Sequence, residues 1–147
     1  MSKLSFENMS YWKSASKHIL NLPEIRFVGV INKMGRLVSG DYKKGIVPMA
    51  EVKQYKICMA HALELFMKKD LDEALGALEY IVSKRKNVMI ITIPMDDSLV
   101  MISAGPKAKI EPIVDEIIQR INNREIISNY IPTQKARAAK FRPNKNN

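Results

Sequence analysis

Leu78-Glu79-Tyr80-Ile81-Val82-Ser83-Lys84-Arg85-Lys86-Asn87-Val88-Met89-Ile90-Ile91-Thr92-Ile93-Pro94-Met95-Asp96-Asp97-Ser98-Leu99-Val100-Met101-Ile102-Ser103 reads as three strands in succession. Val88 to Ile93 is apolar at nearly every position and rich in β-branched residues, which suits a central strand covered on both faces. Leu78 to Lys84 alternates only partly, and Arg85-Lys86-Asn87 is a polar turn. Pro94 to Ser98 is a second turn, followed by a strand from Leu99 to Ser103. The stretch is a three-stranded antiparallel meander.

Upstream, Ile25 to Asn32 has the same β-branched character. Lys33-Met34-Gly35-Arg36 turns the chain back, with Gly35 free to take positive φ. Leu37-Val38-Ser39 returns as a short second strand, and Gly40 to Pro48 is a loop. Helical periods flank these strands. Glu7 to Leu20 places Met9, Trp12, Ser16, Ile19 and Leu20 near one face, and Pro23 stops that helix. Met49 to Lys69 spaces Val52, Tyr55, Met59, Ala62, Leu63 and Phe66 by three and four. Asp70 to Gly76 fits either a helical turn or a loop. Ile110, Ile113, Val114, Ile117, Ile118 and Ile121 stripe a helix from about Glu111 to Asn122, with Pro112 in its first turn.

The order α-ββ-α-βββ-α predicts an α/β (α+β) domain, a five-stranded antiparallel sheet between helices in three layers. The domain is expected over residues 1–130. Residues 131–147 are polar and basic and read as a flexible C-terminal tail.

The chain has 147 residues, 24 Lys and Arg against 15 Asp and Glu, and a net charge of +9. Five positive charges (Lys135, Arg137, Lys140, Arg142 and Lys145) follow the last acid, Glu125, and leave +4 to the rest of the chain. Basicity is thus largely a property of the tail. No apolar run approaches the ~20 residues of a membrane-spanning helix. The first residues lack the apolar stretch of a signal peptide. A cytoplasmic location is expected.

Chemistry-bearing residues are sparse. Cys58 stands alone, so no internal disulfide or Cys-x-x-Cys zinc site can form, and its place in an apolar helical pattern marks a core residue. His18 and His61 have no second ligand at helical spacing. Asp96 and Asp97 suit a tight turn better than a catalytic pair. Ala104-Gly105-Pro106-Lys107-Ala108-Lys109 precedes a helix but lacks a phosphate-loop pattern. No catalytic, cofactor-binding or metal residues are predicted, and the chain does not read as an enzyme.

The element order resembles the roadblock domain of the profilin-like, longin-type superfamily. Ile25 to Gly40 is similar to that domain's opening hairpin, and Leu78 to Ile118 to its closing meander and helix. Small archaeal proteins with this domain share the similarity. The resemblance implies a non-enzymatic dimeric adaptor, pairing with itself or a related domain through its middle helix and third strand. It further implies a platform for assembly or for a small GTPase. Carried onto this chain, the pairing residues are Val52, Tyr55, Met59 and Phe66 of the helix and Leu78, Tyr80, Val82 and Lys84 of the strand. The tail offers a second reading. Lys135, Arg137, Lys140 and Arg142 around Phe141 suit a phosphate backbone with a stacked base, as in a nucleic-acid- or ribosome-associated protein. An acidic protein or membrane surface fits the same charges, as does a merely solvated extension. A ligand-sensing role stays open because related sheets hold ligands in their cores.

Overall fold

A computed structural model describes residues 6–49 and 51–120. Helix α1 is Phe6–Leu20, strand β1 Ile25–Ile31 and strand β2 Leu37–Tyr42. One 3-10 turn, Glu51–Lys53, leads into helix α2, Gln54–Lys69. A single turn α3, Asp72–Leu75, precedes strands β3 (Ile81–Lys84), β4 (Met89–Met95) and β5 (Ser98–Ala104). Residues 110–120 form helix α4. The expected end of that helix and the whole basic tail lie outside the described residues.

The five strands make one antiparallel sheet in the order β2-β1-β5-β4-β3. This is the predicted α+β fold. The two outer strands are the short or exposed ones, and the three inner strands are buried at nearly every residue. Near-continuous burial is what the unbroken apolar runs dictate.

Two compact units are distinguishable. The first, residues 16–109, holds the sheet and α2. Here Cys58, Ala62 and Leu65 of α2 meet Phe27 and Ile31 of β1, Ile90 of β4, and Leu99 and Met101 of β5 in one buried cluster. The second contains residues 6–15 and 110–120, with Trp12, Ala15, Ile113, Val114 and Ile117 buried.

Several boundaries differ from the sequence expectation. β2 runs on to Tyr42 because β1 offers partners that far, with Phe27 opposite Tyr42 and Gly29 opposite Gly40. Glycine weakens a strand, and Gly40 therefore read as loop. The Phe27 ring lies over this Gly–Gly pair. A Cβ on Gly29 would sit 2.8 Å from the ring and one on Gly40 2.7 Å. Pro94 belongs to β4 rather than to the turn. It stands opposite Leu99, and β3 pairs no further than Thr92, so its missing N–H leaves no ladder gap on that side. The turn contracts to Asp96-Asp97, with Asp96 at φ 55, a left-handed value that aspartate tolerates. Gly35 takes φ 82 as expected. The long helix begins as α-helix at Gln54 rather than Met49, since the turn before it is 3-10 and Lys53 gives no side-chain cap.

The ring over Gly29 generates a prediction. Gly29→Ala should lower unfolding stability by ~1–3 kcal/mol, because the new Cβ would press on the buried Phe27 ring and on Leu37. The midpoint of urea denaturation reads it. An unchanged midpoint would contradict the close packing.

Candidate protein interface

Helix α2 is apolar on two faces. One face, Cys58, Ala62 and Leu65, is buried on the sheet. The flanking face carries Tyr55, Met59, Leu63 and Met67, each four residues from the last, and all are exposed. At this spacing they form one row along the helix. Leu71 and Leu75 continue the same interval into α3, and Val52 of the 3-10 turn is 87 % exposed. Isolated exposed apolar residues are ordinary, but a continuous row is a marker of a contact surface. Sequence periodicity had merged both faces. Leu63 shared one stripe there with Ala62 and is 62 % exposed, whereas Phe66, expected at the pairing surface, packs against the buried cluster.

Strand β3 is the sheet edge nearest in kind to this row. It pairs only with β4, from Ile81 opposite Thr92 to Lys84 opposite Met89. The Arg85 N–H donates to the Val88 carbonyl at 2.9 Å. Antiparallel alternation then turns the N–H and C=O of Val82 and Lys84 outward, away from β4. Ile81 packs against the α2 cluster, so Val82, its neighbour along the strand, presents its side chain to the opposite face.

The strand is shorter than predicted. Leu78, Glu79 and Tyr80 lie outside it, following Gly76 at φ 93. The Leu78 N–H finds the Asp72 carboxylate at 3.1 Å instead of a ladder partner. Leu78 still packs on the cluster, and Tyr80 is half-buried. Lys84 donates from Nζ to the Pro106 carbonyl at 2.7 Å. The expected pairing residues thus divide into an exposed helical row (Val52, Tyr55, Met59), two residues packed on the cluster (Phe66, Leu78) and an open edge (Val82, Lys84).

His61 and Gly105 have partners within the fold. The His61 Nδ1–H donates to the Ile57 carbonyl of its own helix at 2.8 Å. Groups of three or more His, Cys, Asp or Glu able to hold a metal are absent among the described residues. The Gly105 N–H is taken by the Glu24 carbonyl at 2.8 Å, so that donor is not available to an anion. Between α2 and the sheet is a hollow of about 80 Å³ lined by residues including Phe27, Tyr42, Ile57, Ile90 and Met101. A cavity that admits benzene is nearer ~150 Å³. Lys135, Arg137, Lys140, Phe141 and Arg142 fall outside the described residues. No described helix is long and apolar enough to cross a membrane.

A five-stranded antiparallel sheet in this order, with the middle helix seated on it, is the fold of roadblock domains. It is similar to the gliding protein MglB of Thermus thermophilus, with a TM-score of 0.70 and 9% identity over 86% of this chain and 94% of that one. MglB of Myxococcus xanthus matches with a TM-score of 0.60 and 9% identity, over 86% and 99% of the two chains. A Roadblock/LC7 domain from Streptomyces avermitilis has a TM-score of 0.60 and 10% identity, over 77% and 92%. At these identities the likeness is one of fold. Residues 5–128 match DUF6659, a family of unknown function, and the chain belongs to that family. No curated protein sequence matches it significantly.

Cys58 supplies the prediction here. Burial pushes its thiol pKa up, and a neutral buried thiol is a poor nucleophile. A thiol reagent at mildly alkaline pH should label Cys58 at least about a hundredfold more slowly in the folded protein than in denaturant. The same upward shift makes stability fall as pH rises past the unfolded thiol's value, because the unfolded chain then gives up its proton first. Fast labelling under native conditions would contradict the burial.

Proposed function

We propose that this chain is a non-enzymatic adaptor of roadblock type that pairs with a second copy of itself and serves as a platform for a small GTPase. The observation that carries this reading is the exposed row Tyr55, Met59, Leu63 and Met67, beside a buried face that already seats the helix. A helix with two apolar faces has a second surface left to cover. Fully covering a side chain of this kind contributes about 1.5–3 kcal/mol. Four such side chains from each copy reach the scale of the association cost, on the order of 4–15 kcal/mol.

The open edge of β3 fits the same partner. An antiparallel register centred on Val82 sets Val82 against Val82 and Tyr80 against Lys84. It also brings Glu79 opposite Arg85, so unlike charges meet. Glu79 and Tyr80 would join the strand on pairing, which accounts for a four-residue β3 in the single chain. A structural neighbour described as MglB with a tetrameric arrangement supports assembly as a habit of this fold. The small-GTPase partner rests on the roadblock resemblance.

Sedimentation equilibrium tests the pairing. The wild-type protein should run as a dimer at micromolar concentration, and Met59→Glu or Leu63→Glu should shift it to monomer with an unchanged thermal midpoint of the monomer. At least about a hundredfold weaker self-association is expected from one buried charge. A wild-type chain that stays monomeric at high concentration would overturn self-pairing.

A further inference from the structure

The sheet has a second open edge at β2, at the far end from β3. β2 is exposed or half-buried along its whole length and bonds only to β1. The Lys43 N–H donates to the Arg26 carbonyl, and Asp41 and Ser39 stand opposite Val28 and Val30 in the same register. Alternation then points the N–H and C=O of Gly40 outward. Exposed edges of this kind are usually blunted by charge or bulges. The register with β1 shifts between Val30 and Ile31, where Val38 stands without a partner as a bulge near the start of the strand, and leaves Ser39 to Tyr42 regular.

The charges around this edge are of one sign at both ends. Lys33 and Arg36 precede the strand and are exposed. At the other end Lys17, Lys43 and Lys44 line an open hollow of about 460 Å³ with Leu20, Asn21 and Tyr42. Lys43 is engaged, its Nζ donating to the Leu22 carbonyl at 2.9 Å. Lys17, Lys33, Arg36 and Lys44 enter no ion pair among the described residues. The one acid in the strand, Asp41, leaves a clear positive excess.

We propose that the β2 edge is a docking strand for an extended acidic segment of a partner protein, which adds as a sixth strand. Gly40 would supply ladder bonds through its outward N–H and C=O, and, without a side chain, it lets the incoming backbone lie close. A six-residue strand is ~20 Å long, so carboxylates near both ends of the segment reach Lys33 and Arg36 on one side and Lys17 and Lys44 on the other. A second copy of this chain is the wrong occupant. Antiparallel β2–β2 pairing would set Lys33 and Arg36 against Lys43 and Lys44, like charges facing each other. This separates the β2 edge from the β3 edge, and the proposal does not depend on self-pairing.

The test uses fluorescent peptides of about eight residues, a usual strand length, alternating Glu with Val or Lys with Val. The full chain should bind the acidic peptide, with affinity falling steeply as salt rises, and not the basic one. Arg36→Glu and Lys44→Glu should weaken binding and flatten the salt dependence. An acidic peptide N-methylated along one edge keeps its charge and loses ladder bonding, and should bind at least about tenfold more weakly than the plain acidic peptide. Equal affinity for the methylated and plain peptides would overturn strand addition. So would failure of the acidic peptide to bind. An oligouridylate that displaces the acidic peptide, while the methylated and plain peptides bind alike, would assign the patch to nucleic acid and overturn the proposal.

Discussion

Everything in the first compact unit depends on how closely α2 can approach the sheet. The contact residues at Cys58 and Ala62 are small, and Leu65 joins them in the cluster of Phe27, Ile31, Ile90, Leu99 and Met101, with Ile57 and Phe66 packed against it. The approach is tight at the β1–β2 turn as well. A Cβ on Gly35 would stand 3.2 Å from the Met59 Cα. A helix seated this low buries a narrow stripe. The next row round, Tyr55 to Met67, is left on the flank with no covering element among the described residues. Seat and exposed row are consequences of one arrangement.

The two sheet edges then differ in what they can accept. β3 is four residues long, with an acid just before it and Lys84, Arg85 and Lys86 at its end. Its charge pattern is self-complementary in an antiparallel pair. β2 is longer, with basic residues on both sides, and repels its own kind. Strand edges bond without regard to sequence, so side-chain charge decides the partner. One sheet can in this way hold a like partner at one end and an unlike one at the other.

Much of the fold was legible in the sequence because its signals were local. β-branched runs marked β1, β4 and β5, and Gly35 marked the first turn. The misreadings each have a tertiary cause. Gly40 looked like loop because its strand context comes from Gly29 across the ladder and the Phe27 ring above both. Pro94 looked like a turn because only the length of β3 shows that its nitrogen needs no donor. The interface was half legible. The spacing of Tyr55, Met59 and Leu63 was visible, but apolar residues at three and four intervals cannot say which of two adjacent faces is buried. The i, i+4 run from Tyr55 through Leu75 was a readable signal, and it passed unnoticed because core-seeking periodicity absorbed its members.

The central claim is that an uncovered face of α2 and the open edge of β3 together form a self-pairing surface. Amide hydrogen exchange resolved by residue tests it directly, because the outward N–H groups of Val82 and Lys84 have no ladder partner within one chain. Over about a hundredfold rise in protein concentration these two amides should become protected, as mass action fills the pair, while Gly40 on β2 stays unchanged. Exchange at Val82 and Lys84 that remains fast at every concentration would contradict the account.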